Sequence, residues 1–193
     1  MKTLSRYWNY KLRGIPGAIY LIISIILKSL LDHFFYLLNR GNFQKIKKNT
    51  FFHRSLIYRY PQNIQIGENC ILNKNIKLES EVDDSFLNIG NNVNIAENVN
   101  IDFTGGLIIE NNVTISKNVN IFTHDHGLDP RSIPLKKELR IHKNVWIGSN
   151  AVILQNVNSI GVNSIIASGS VVTKDVDKNV IVGGNPATLI KNI

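Results

Sequence analysis

A single cysteine, Cys70, excludes a disulfide framework and a cysteine-based zinc cluster, and fits a reducing compartment. Acidic residues are scarce at one end only. Residues 1–60 hold eleven Lys or Arg against one acid, Asp32, whereas residues 61–193 hold eleven against thirteen. The net charge of +8 therefore belongs to the N-terminal segment. No aromatic-basic binding motif accompanies it, so nucleic acid is not an expected partner. An uninterrupted apolar stretch of the ~20 residues a membrane span needs is also lacking. Lys28 and Asp32 break the run that comes nearest, and with no small-residue cleavage site after it a signal peptide is not expected. With 44% hydrophobic and 19% charged residues, the chain has the composition of a folded domain with an appendage.

That broken run, residues 17–38, has helical periodicity. Tyr20, Ser24, Lys28 and Asp32 recur at spacing four and make a narrow polar stripe on a broadly apolar helix. Pro16 suits its start and Gly41 its end. Two destinations stay open and are compatible. The helix packs on the rest of the fold or on another subunit, or it lies on an anionic membrane, helped by Lys2, Arg6, Lys11, Arg13, Lys45, Lys47 and Lys48. The second predicts a cytoplasmic protein held peripherally on the inner face of the cell membrane through residues 1–60.

From residue 64 onward aliphatic residues recur every six positions, as in Ile66, Leu72, Leu78, then Ile89, Ile95, Ile101, then Ile109, Ile115, Ile121. Ile141, Ile147, Ile153 and Ile160, Ile166, Val172 continue the series. Four positions after most of these comes a second small or apolar residue, Cys70 among them, which makes the cysteine structural. Period six fits short strands joined by tight turns, and Asn fills such turns because it tolerates positive φ. Three faces make a triangular coil, and stacked coils form a solenoid. The repeat breaks at 79–88, 102–108 and, longest, 122–140, and loops on a rigid scaffold are where function collects.

Residues 64–190 resemble the hexapeptide-repeat acyltransferases, within them the maltose, galactoside and polysaccharide O-acetyltransferase branch. The strongest signatures are NVWIGSNAVIL at 144–154, SIIASGSVVTK at 164–174 and GGNPATLI at 183–190. The resemblance implies a mainly β fold, a left-handed parallel β-helix of about five coils over residues 61–193, behind an N-terminal segment of residues 1–60. It also implies acetyl-CoA as co-substrate and a homotrimer with sites between subunits.

Acyl transfer to a hydroxyl needs a base, and histidine suits the task near neutral pH. The insertion offers His124 and His126 in Thr123-His124-Asp125-His126-Gly127. The family's base comes about five positions after the last aliphatic of its coil, here Ile121, which selects His126; a different gapping selects His124. By the same resemblance Ser149, Ser168, Thr173 and Lys174 line the CoA groove, and Trp146 walls the site. Three departures stand out. Gln155-Asn156 replaces the common Pro-Gly turn, Thr188 stands where a basic residue is usual after the last proline, and Ala96 replaces an acceptor-binding asparagine. No metal is expected, because His124, Asp125 and His126 alone supply too few ligands.

The expected activity is transfer of acetyl to a sugar hydroxyl, with a surface or capsular polysaccharide precursor as acceptor. Transfer to an amino sugar or sugar nucleotide is the alternative within enzymes. An inert scaffold, or a hydratase holding a metal with His124, His126 and His142, are the alternatives of other classes.

Overall fold

A computed structural model describes residues 15–193; Lys2, Arg6, Lys11 and Arg13 lie outside the described residues. From Lys45 onward the chain winds through three parallel faces. The first face runs from Lys45–Ile46 to Ser159–Ile160, the second from Phe51–Phe52 to Val180–Gly184, and the third from Ile57–Tyr58 to Val171–Val172. The first and third faces are each 6-stranded, so six coils are complete. A seventh starts with a bridge between Val176 and Ile160, and Ala187–Asn192 folds back antiparallel on Val180–Gly184 to close that end.

The period-six aliphatics are the core. Ile95, Ile115 and Ile147 stack on the second face, and Leu78, Ile101, Ile121 and Ile153 on the third, all essentially inaccessible to water. The repeat predicts about five coils starting after residue 60; the fold has one more, over residues 45–58. Its inward positions Ile46, Phe52 and Tyr58 keep the spacing of six but replace two aliphatics with aromatics. The boundary between the N-terminal segment and the solenoid therefore falls at Lys45, not 61.

Asparagine makes the corners. Between the first and second faces Asn92, Asn112, Asn144, Asn163 and Asn179 have positive φ, and between the second and third Asn75, Asn98, Asn118 and Asn150 do. Their side chains form ladders up the solenoid, as in Asn98 to Asn118 (3.2 Å) and Asn118 to Asn150 (3.0 Å). The corner between the third and first faces has no such ladder among the described residues, and every long break in the repeat leaves from it.

The helix Ile15–Asn39 matches the expected span and touches the solenoid only near its C-terminal end. Phe35 and Tyr36 pack on Phe52 of the first coil, with ring centroids 6.1 and 5.0 Å away. The Tyr58 hydroxyl donates to Asn39 Oδ1 at 2.7 Å. Asp32 is turned into this contact, with its Oδ1 3.5 Å from His53 Nε2 and 3.7 Å from Arg54 Nε. Of the two charges that interrupt the apolar run, only Lys28 stays exposed. Exposed Ile19, Ile22, Ile23, Ile26, Leu27 and Leu30 share one face of the free part of the helix. By length and composition alone, Gly17–Asn42 could cross a membrane, with a mean hydropathy of 1.8.

The corner geometry makes a prediction. Asn118 has φ of 59°. Asn118→Ala is expected to lose about 1–2 kcal/mol, the strain of a Cβ in the left-handed region. Asn118→Gly is expected to lose less. Urea unfolding of both variants checks this, and equal losses would place the stability in the side-chain ladder instead.

Candidate active site

The 122–140 insertion is rooted by close backbone packing. Thr123 is fully buried; its hydroxyl donates to Asp102 Oδ1 at 3.0 Å and accepts the Gly105 N–H at 2.9 Å. The Thr123 carbonyl accepts the Lys137 N–H at 2.9 Å where the insertion returns. A Cβ on Gly105 would collide with that carbonyl and with the backbone of Lys137, so only glycine fits. Between the roots, His124–Asp125 and Leu135–Lys136 pair antiparallel. The chain turns at Gly127, whose N–H donates to Asp125 Oδ1 at 2.8 Å. That N–H, with Gln155 behind it, holds the Asp125 carboxyl below the usual carboxylate range. Gln155 of the following coil donates to Asp125 Oδ2 at 2.9 Å, and Lys136 reaches Asp84 at 2.6 Å. The insertion is thus tied to the coils on both sides of it.

This framework orients both histidines. His126 Nδ1 lies 2.7 Å from the Ser132 carbonyl. A carbonyl only accepts, so Nδ1 carries hydrogen and the neutral ring keeps its lone pair on Nε2. The Ser132 carbonyl, and behind it Glu81, hold His126 above the usual histidine range. His124 Nδ1 lies 2.8 Å from Asp102 Oδ1. Asp102 also accepts from the hydroxyls of Thr104 (2.8 Å) and Thr123, the pattern of an ionised carboxylate, so His124 Nδ1 is a donor as well. Both Nε2 atoms face Glu81, His124 at 3.4 Å and His126 at 3.3 Å. The imidazoles meet edge to face with centroids 5.2 Å apart.

A galactoside O-acetyltransferase of Escherichia coli (strain K12) is 36% identical over 151 residues, covering 78% of this chain and 64% of its own length. One from Lactococcus lactis is 30% identical over 156 residues, with the same coverage of 78% and 64%. The solved maltose O-acetyltransferase of Clostridium difficile 630 is 25% identical with a TM-score of 0.58, covering 90% of this chain and 88% of that one. A hexapeptide-repeat acetyltransferase of Vibrio cholerae has a TM-score of 0.52 at 26% identity, over 81% and 78% of the two chains. In sequence and fold the chain is similar to hexapeptide-repeat acetyltransferases. No family model matches the sequence. The chain spans 64%, a little under two thirds, of the length of the galactoside relatives.

The family's groove positions do not gather in one chain. Thr173 and Lys174 follow the third-face strand Val171–Val172, at the corner that carries the histidines but two coils further on. Lys174 lines a cleft of about 140 Å³ with Asp175, Asp177, Thr188 and Leu189. Ser149 and the exposed Ser168 sit at the opposite edge of the third face, where the Gly169 N–H donates to the Ser149 carbonyl at 2.8 Å. Trp146 is on the second face, across the triangle from the insertion. Its ring N–H donates to Ser116 at 3.0 Å, so it does not wall the site of its own chain. His142 faces Glu110 at 3.1 Å, on the first face, and does not join the other two histidines. A groove of about 450 Å³ also lies on the first face, beside Lys45, Lys47 and Lys143, away from the chemistry.

Glu81 and Asp102 are the site residues that sequence reasoning missed. Each follows the third-face aliphatic of an earlier coil, Leu78 and Ile101, as His124 follows Ile121. Glu81 shares the offset of three that His124 has from Ile121, a signal that could have found it, whereas Asp102 directly follows Ile101 and is still on its strand.

Asp102 is the hub. Asp102→Asn is expected to lose about 1.5–3 kcal/mol of stability, the range for hydrogen bonds to a charged group. Urea unfolding measures the loss, and a change near zero would remove Asp102 as the anchor of the insertion.

Proposed function

We propose that the protein transfers an acetyl group from acetyl-CoA to a sugar hydroxyl, with His126 as general base. The observation that carries the base is the Nδ1 contact to the Ser132 carbonyl, which leaves the Nε2 lone pair to take a proton. Nε2 removes the proton of the acceptor hydroxyl. The oxygen attacks the thioester carbonyl, the C–S bond breaks, and the proton on Nε2 passes to the departing CoA sulfur. The O-acetyltransferase relatives support the reaction class. Support for CoA comes from the sequence signature at 144–174. In addition, the solved N-acyltransferase of Bacillus cereus, alike in fold with a TM-score of 0.70 at 20% identity, was crystallised with dTDP and 3-hydroxybutyryl-CoA. A second reading makes His124 the base, favoured by its 2.8 Å contact with Asp102.

The working form proposed is a homotrimer. Leu128 and Ile133 at the tip of the insertion are fully or largely exposed, as an apolar tip seated on another copy requires. A groove with one edge from each of two copies would unite Ser149 and Ser168 of one with Thr173 and Lys174 of the other. Trp146 would then wall a neighbouring copy's site. The acceptor proposed is a surface-polysaccharide precursor at the cytoplasmic face of the membrane, where the apolar helix and Lys45, Lys47 and Lys48 hold the chain.

Thiol release from acetyl-CoA, measured with a panel of sugars, amino sugars and glycan intermediates, tests the chemistry. His126→Ala is expected to lower turnover by about 10²–10⁴-fold, the usual worth of a general base, and His124→Ala by less. The reverse order would move the base to His124. For the membrane contact, the full chain is expected to float with phosphatidylglycerol-containing vesicles more than with phosphatidylcholine alone, and an Ile22→Glu/Ile26→Glu variant to float with neither. Equal flotation of wild type and variant would remove the helix as the anchor.

A further inference from the structure

When both rings are neutral, three groups that only accept hydrogen bonds face one another in the site. His124 Nδ1–H is committed to Asp102 and His126 Nδ1–H to the Ser132 carbonyl, so each neutral ring turns a lone pair on Nε2 toward Glu81. The Glu81 carboxylate offers only lone pairs in return. Positive charge between its members relieves the repulsion, supplied either by a proton on Nε2, which the Ser132 carbonyl and Glu81 favour at His126, or by a metal ion in its place.

We infer that Glu81, His124 and His126 bind one divalent transition-metal ion of the zinc class. Two imidazoles and one carboxylate are an established zinc ligand set that leaves a fourth position for water. The spacing fits. With zinc bonds of about 2.0–2.1 Å, ligand atoms at the corners of a tetrahedron stand about 3.3 Å apart. His124 Nε2 lies 3.4 Å from Glu81 Oε1 and His126 Nε2 3.3 Å from Glu81 Oε2, and one ligand atom from each of the three residues lies within 4.8 Å of the others, so a small rotation of the carboxylate brings one oxygen to both rings. The outer partners fit as well. Metal-bound histidines usually donate their second ring N–H to a carboxylate or a backbone carbonyl, and here there is one of each. The third ligand is tied to the same network, since the Glu81 N–H donates at 3.0 Å to Thr104, whose hydroxyl donates to Asp102. The histidine side chains are 12% and 23% exposed and that of Glu81 47%, so the pocket is closed behind the rings and open on the carboxylate side, where an ion can enter. The ion occupies the lone pair that acetyl transfer requires, so zinc and catalysis exclude each other at this site; this consequence rests on the proposed reading that one of the two histidines is the base.

The test begins with full-length protein stripped with a chelator and titrated with cobalt(II), whose tetrahedral complexes absorb strongly in the visible. Saturation at one cobalt per chain, displacement by zinc, and a loss of affinity of more than about 100-fold in Glu81→Gln are expected. Asp102→Asn is expected to lose about 10–100-fold, the usual worth of an outer partner. No visible band, or binding indifferent to Glu81→Gln, overturns the site. A second arm follows thiol release. Zinc is expected to suppress it in the wild type, the chelator to restore it, and Glu81→Gln to be insensitive to zinc. If cobalt binds as described and zinc leaves turnover unchanged, the metal site stands, and the exclusion falls together with either histidine as base.

Discussion

The chain must turn a corner every six residues while keeping one side chain pointed inward, and the rest of the molecule depends on that constraint. A corner so tight needs a residue at positive φ in nearly every turn, and asparagine accepts that conformation at less cost than other side chains. The conformation also places the side-chain amides one above another, so each asparagine bonds the next coil. Backbone requirement and side-chain ladder are met by the same residue. Glycine takes over at Gly169, where the ladder of the second corner ends.

Two corners regular in this way leave the third free. Insertions at a laddered corner would break bonds on both sides, whereas the corner between the third and first faces has no ladder to break. The longest insertion emerges there with its two histidines, and the acids of earlier coils stand in line with it. Asp102 joins scaffold to chemistry. One carboxylate receives the buried hydroxyls of Thr104 and Thr123, which belong to the coils, and the imidazole of His124, which belongs to the site. Rigidity acquired by stacking is thereby passed to the histidine of the insertion.

A solenoid also has two ends, each exposing a layer of core. The C-terminal end is closed by an antiparallel strand. At the N-terminal end, the last turns of the helix set Phe35 and Tyr36 on Phe52 and bury Asp32 beside His53 and Arg54. This cap uses a short part of a long helix. The remainder exposes a broad apolar face beside the narrow stripe of Tyr20, Ser24 and Lys28.

The residues by themselves determined what depends on local spacing. The six-residue period announced the solenoid, its interruptions announced the insertion, and the insertion announced both histidines. Even here an aromatic coil at 45–58 escaped notice, because Phe52 and Tyr58 fill the inward position without being aliphatic. What only the tertiary structure decided was which distant groups meet. Glu81, Asp102 and His124 are separated along the chain by roughly the length of a coil each, and become neighbours only when the coils stack in register. Trp146 shows the same rule in reverse. It is near the insertion in sequence yet lies across the triangle from it, because a third of a coil is enough to pass to another face. Sequence distance sets position along the winding, and stacking alone sets what lies beside what.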